Sequence, residues 1–194
     1  AGFDRVSAPT FDVPALIRQR CLQMTPGLFP WLRNPIGEAL FPDLRGLPEV
    51  PRTGRTFDEL MGEIDRRDGR PFFIVSFVSA SHFPYAAPAP FYRRYANPAY
   101  RGPSLYLRFQ RLQEAARTQP EELEQVQALF DGTLGYFDHH FGRVMAHLDR
   151  RGLADNTLVV FTADHGENLG EHSTIGHGDH LRGSGASRVP LLIR

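Results

Sequence analysis

An aspartate and a histidine stand side by side at Asp164 and His165, where an apolar run gives way abruptly to Thr162-Ala-Asp-His-Gly-Glu167. In a continuing strand the two side chains would face opposite ways. Where a strand ends and turns, both can converge on one ion, and Gly166 lets the backbone bend sharply. A carboxylate with an imidazole suits Mn²⁺, Zn²⁺ or Fe, and tolerates Ca²⁺ or Mg²⁺ if further carboxylates join. For an isolated Asp-His-Gly the alternative is a capped turn with a solvated Asp and a packed His. The triplet is not isolated. His172, His177, Asp179 and His180 follow, so four of the eight histidines lie between positions 165 and 180 in a Gly-rich stretch. Such a cluster reads as a metal or phosphate site, or else as an exposed His-rich loop.

The elements that must position these residues follow from hydrophobic period. Glu121 to Arg151 repeats Leu123, Val126, Phe130, Phe137, Phe141, Val144 and Leu148 at helical spacing, and Gly152 suits its termination. Thr157 to Thr162 then reads as a buried strand, and Val189 to Ile193 as a further one with its Pro near the start. Upstream, Phe72 to Ser79 has the near-continuous apolar character of a buried parallel strand. A helix capped at Thr56, with Glu59 three residues on, precedes it. Phe11 to Met24 can hold one more helix, with Pro14 in its first turn. Strand, long helix, strand is the pattern of an α/β domain with a mostly parallel sheet. Sites in such sheets gather beyond the carboxyl ends of the strands, which directs attention to Ser81-His82 and to Asp164-His165.

Composition bounds the partners. Acidic and basic residues balance at 22 each, so nucleic acid is not an expected partner. Every one of the basic residues is arginine, so any anion clamp or general base falls to Arg or His. One cysteine, Cys21, excludes an internal disulfide and a Cys-rich metal cluster. It reads as a small buried hydrophobe. No apolar run is long enough to cross a bilayer.

The run from Asp155 to His172 resembles the C-terminal signature of the sulfatases, within the alkaline phosphatase superfamily. The resemblance continues through Gly176-His-Gly178 and closes with Ser187-Arg-Val-Pro-Leu-Leu-Ile-Arg194. Phe130 to Asp138 with Gly142-Arg143 resembles the helix before that strand. Pro71 to Phe77 and Ser81-His-Phe-Pro-Tyr85 resemble the family's strand and its substrate-histidine loop. The best match spans 71–194, with a probable insert at 96–120, and the chain reads as one domain over 1–194.

The resemblance implies an alkaline-phosphatase-like α/β/α sandwich, incomplete at its N-terminus. It implies that Asp164 and His165 bind one divalent metal ion (Ca, Mn, Zn or Mg). His82 matches the histidine that contacts the sulfuryl or phosphoryl oxygens or the leaving group. His177 falls twelve residues beyond the second metal ligand, where many sulfatases carry a lysine. Related lipid-directed transferases often carry a histidine there, so His177 would supply the charge or the proton. The family's first acidic ligands and its nucleophile belong to strands before this region. Cys21 is not that nucleophile, since Arg20-Cys-Leu-Gln-Met-Thr25 lacks the Cys-x-Pro-x-Arg modification motif.

The expected activity is metal-dependent hydrolysis or transfer of sulfate or phosphate esters, with a lean toward phosphoryl transfer on lipid- or glycan-linked substrates. The fragment alone is expected to be inactive. An extracytoplasmic or membrane-associated location is favoured, with any anchor in a preceding N-terminal part. The alternative is a catalytically inactive sulfatase-like module that binds lipid or regulates a partner.

Overall fold

The structure is a computed structural model that describes residues 2–8, 12–24, 36, 52–67, 69–102, 104, 120–177 and 184–194. The strongest sequence period becomes the longest element, a helix over Pro120–Arg150. Among the described residues it follows the helices α1 (Val13–Met24) and α2 (Thr53–Asp65), and is called α3. Glu121 and Glu122 open its first turn, where the helix dipole favours negative charge. Gly152 closes it at φ +65, as its sequence position predicts.

The two halves of α3 serve different cores. Toward its N-terminus, Val126 and Leu129 pack with Tyr85, Tyr92, Tyr100 and Ile175. Toward its C-terminus, Val144 and Leu148 pack with Phe57 and Ile64 of α2 and with Leu153. Full burial of a side chain such as Leu129 contributes roughly 1.5–3 kcal/mol. The first cluster takes in Ile175 and packs against Leu169, both in the histidine-rich stretch, and the second packs against Ile74, Val78 and Val159. Of the segment 96–120, residues 103 and 105–119 lie outside the described residues. Its described part is tied to α3 by polar contacts. Tyr100 and Ser104 both donate hydroxyl hydrogen bonds to Glu122, at 2.7 and 2.5 Å.

Four short strands follow α3: β1 (Val160–Thr162), β2 (Asn168–Leu169), β3 (Ile175–Gly176) and β4 (Leu191–Ile193). β1 pairs antiparallel with β4, and β2 antiparallel with β3. Among the described residues these are the ladders, so the parallel pairing expected of the sheet is not formed within them. Residues 70–79 are not a strand in this structure, contrary to expectation. Their apolar side chains are divided instead. Ile74 and Val78 pack on the second core, while Phe73, Val75 and Phe77 stay exposed. Residues 157–162 divide the same way: Val159 packs inward, whereas Leu158 and Val160 are exposed. The sequence expectation was burial on both faces. The helices cover one face, and no described element covers the other.

Two local expectations are corrected. α2 starts at Thr53 rather than at a Thr56 cap, one turn earlier. Arg52 sets that start in a left-handed conformation (φ 50, ψ 52), held by an ion pair to Asp12 at 2.9 Å. Thr56 is inside the helix, its N–H bonded to Arg52 O. Asp12 in turn caps α1, accepting the Ala15 N–H at 3.0 Å. Cys21 is exposed, not buried. Ala15 and Gln19 define the inward stripe of α1, and Cys21, two residues past Gln19, lies about 200° round the helix.

The α2–α3 contact contains a pH-sensitive group. The His140 ring stacks on Phe57 (centroids 5.7 Å apart) and meets Tyr136 edge to face at 4.8 Å. Arg143 donates to its Nδ1 at 2.9 Å. Burial first, then the charges of Arg143 and His139, hold its pKa below the ordinary value, although Asp58 opposes this. The unfolded chain, titrating near pH ~6.5, then binds more protons than the folded one just below that pH. Stability is therefore fully present above that pH and is lost as pH falls toward the folded pKa. Urea midpoints of the intact protein at pH 7.5 and 5.5 should show this drop, and His140→Gln should reduce it. An equal drop in the variant would assign it to other groups.

Candidate active site

The strand β1 ends at Thr162, and the chain turns through Ala163 to Gly166 before β2 begins. Asp164 lies on this turn with its side chain 60% exposed, and its Oδ1 accepts the His165 backbone N–H at 3.1 Å. Gly166 is required by close approach. A Cβ there would lie 2.0 Å from Gly185 O and 2.5 Å from Arg188 O. Its N–H also donates to Ala186 O at 2.8 Å, strapping segment 184–188 across the turn. After the turn, β2 and β3 form a small hairpin. The register Asn168↔Gly176 places Glu167 and His177 as the next facing pair, their side chains on the same side.

Three histidines gather here. The His165 and His177 rings lie 3.8 Å apart between centroids, and His82 meets His177 edge to face at 5.2 Å. The structure thus brings together all four residues singled out in the sequence, although His82 comes from a loop more than eighty residues upstream. His172 is exposed on a 3-10 turn at Glu171–Ser173. Asp179 and His180 lie outside the described residues.

Hydrogen bonds assign one tautomer to all three rings. His82 Nδ1 lies 2.8 Å from Phe83 O, and His165 Nδ1 lies 2.8 Å from Gly166 O. A carbonyl only accepts, so each Nδ1 carries the proton and donates it. His177 Nδ1 likewise donates to Glu167 Oε2 at 2.7 Å. In the neutral form of each ring, Nε2 is then the lone-pair nitrogen.

Two residues here carried no role in the sequence reading. The Glu167 side chain is only 8% exposed. Its second oxygen, Oε1, accepts the Tyr85 hydroxyl at 2.6 Å. Tyr85 is fully buried against Phe130 and Phe83. Burial, then the Glu167 charge, push its hydroxyl pKa far up, so it stays a donor. Glu167 was visible beside the Asp-His-Gly triplet, but nothing local to Tyr85 announced a partner 82 residues away.

The donor set accommodates a divalent cation. His165 Nε2 lies 3.8 Å from Asp164 Oδ1. With Nδ1–H committed to Gly166 O, both facing atoms are acceptors, and a cation between them would relieve their opposition. His165, Glu167 and His177 also form a compact trio, with one donor atom from each lying within 4.8 Å of the others. Both Glu167 oxygens are already engaged by Tyr85 and His177, which makes Glu167 a holder of neighbours rather than a free ligand. A separate hollow of about 700 Å³ between α2 and α3 is lined by none of these residues. Within it Arg143 pairs with Asp58, and Asp65 contacts His147 and Arg151.

Comparison with known proteins shows the family of the chain. The sulfatase family profile matches residues 32–194, and the chain belongs to the sulfatase family. It is similar to the multifunctional alkaline phosphatase superfamily protein PehA of Trinickia caryophylli, 31% identical over 84% of this chain and 37% of PehA. It is also similar to the ulvan-active sulfatase of Formosa agariphila, 29% identical over 68% of this chain and 24% of that protein. Among solved structures, the phosphonate monoester hydrolase of Agrobacterium radiobacter superposes with a TM-score of 0.54 at 26% identity. That match covers 71% of this chain and 32% of the hydrolase chain. The chain therefore spans about a third of the length of these relatives. Among the described residues, no helix is long and apolar enough to cross a membrane.

Proposed function

We propose that the intact protein is a divalent-metal-dependent hydrolase or transferase of sulfate or phosphate esters, with phosphoryl esters the preferred class. Asp164 and His165 would hold the metal, and His82 and His177 would meet the ester oxygens or the leaving group. The observation that carries this reading is the pair Asp164 Oδ1 and His165 Nε2, 3.8 Å apart, beside two further imidazoles whose Nδ1 atoms are taken up by hydrogen bonds, leaving Nε2 to meet a ligand. The similarity to the phosphonate monoester hydrolase supports the phosphoryl preference, as does a histidine at the position of the lysine of many sulfatases, while the similarity to sulfatases supports sulfate esters as the second class. A bound divalent cation would polarise the ester oxygens and lower the pKa of an attacking hydroxyl. His177 and His82, when protonated at Nε2, would each donate to a developing oxyanion or to the departing alkoxide.

The same reading takes the fold to its finer form, an α/β/α sandwich with a mostly parallel sheet. The exposed row Phe73, Val75 and Phe77, with Leu158 and Val160 alongside, supports this as the open face of such a sheet. Assay of the intact protein on an aryl phosphonate monoester, an aryl phosphate and an aryl sulfate tests the function. Turnover should vanish with chelator and return with one of Ca²⁺, Mn²⁺, Zn²⁺ or Mg²⁺. Turnover that persists after the metal is stripped would overturn the metal's role. Stoichiometric metal without turnover of any ester would favour a binding or regulatory module instead.

A further inference from the structure

The contacts of Glu167 reach beyond the assignment of metal ligands and substrate histidines. Glu167 and His177 face each other across the end of the β2–β3 hairpin, so the hairpin register alone brings the carboxylate to the imidazole. Tyr85 reaches the other carboxylate oxygen from the loop that also carries His82. This loop is itself held under constraint. Tyr85 is a non-glycine residue at φ 54, a conformation that persists only where the surroundings over-determine it. Its ring supplies that determination by total burial in the first core, beneath α3.

We propose that Tyr85 and Glu167 are positioning residues: a buried hydrogen-bonded tether that fixes the tautomer and ring orientation of His177. His177 then meets a substrate oxygen through Nε2 alone. The same tether locks the His82 loop to the His177 hairpin, so the two imidazoles keep their edge-to-face spacing. A lysine at position 177 would need no tautomer, and the tether matters because this chain has a histidine there. The inference rests on the substrate-facing role proposed for His177, but its primary readout does not depend on turnover.

Long-range ¹H–¹⁵N correlation spectra of the His177 ring in the intact protein read the tautomer directly. The wild type should show a single Nδ1–H form. Glu167→Ala should give a mixture of tautomers, with kcat lowered about ten- to a hundredfold and KM changed little, the range typical of outer hydrogen-bond partners. Glu167→Gln, whose amide oxygen can still accept from Nδ1–H, should restore most of both. Should Glu167→Ala fail to fold, as judged by its melting transition, Tyr85→Phe is read in its place, with the same mixture expected at smaller amplitude. A pure Nδ1–H form with unchanged kcat in the readable variant would overturn the tether. So would loss of divalent metal affinity with the tautomer intact, which would make Glu167 a ligand. A normal kcat in His177→Ala would instead remove the catalytic role of His177, while the tautomer result still decides the tether.

Discussion

Replacing Asp164 with Ala in the intact protein should abolish measurable ester hydrolysis while leaving the folded state essentially unchanged. The side chain is more than half exposed, and it accepts a hydrogen bond from its neighbour's N–H. Little packing is lost, so stability should move by less than about 1 kcal/mol. A metal held there would stabilise transition-state charge by several kcal/mol, which at about 1.4 kcal/mol per decade corresponds to a hundred- to ten-thousandfold loss of kcat. His165 would face the site with its Nε2 and no carboxylate opposite. Steady-state kinetics beside a urea melt separates the two effects. Unchanged kcat with unchanged stability would remove Asp164 from the chemistry.

Gly166→Ala should do the reverse, damaging the fold of the site and activity together. The added methyl would sit 2.0 Å from Gly185 O and 2.5 Å from Arg188 O, both backbone atoms that no rotamer change can move. Either the strap over 184–188 lifts, breaking the Gly166–Ala186 hydrogen bond, or the turn carrying Asp164 and His165 shifts. Overpacking a tight site costs about 1–3 kcal/mol, and an overlap this deep on two backbone carbonyls belongs at or above the top of that range. A midpoint shift of that size in urea, with weakened metal affinity, is the expected result. A variant as stable as the wild type would mean that the strap does not hold the turn.

The contrast between these two residues shows how much of the site was legible in the sequence. Asp164, His165 and His177 share one short stretch, and their types alone pointed to metal and anion chemistry. His82 required the rule that sites gather at strand ends, and the ring contact with His177 brings it there. The tether was not legible, because Tyr85 and Glu167 meet through the tertiary fold and neither has a local signature. Nor was the need for glycine at 166, which arises from a strap nearly twenty residues further on. The α3 helix was legible almost to the residue, since its signal repeats every three or four positions along one element. Strands are different. The apolar run at 72–79 was visible, but a ladder needs a partner, and among the described residues this segment has none. The β2–β3 hairpin, two residues per strand, was too short to show a period and read only as a Gly-rich loop.

The most direct test of the central claim is a calorimetric titration of divalent cation into the metal-stripped intact protein, as wild type and with Asp164→Ala and His165→Ala. If Asp164 and His165 hold the metal, the wild type should bind one equivalent, and each variant should weaken that binding by more than about a hundredfold, beyond the loss of a residue that only supports a ligand. Wild-type affinity in both variants would contradict the account and place the metal elsewhere.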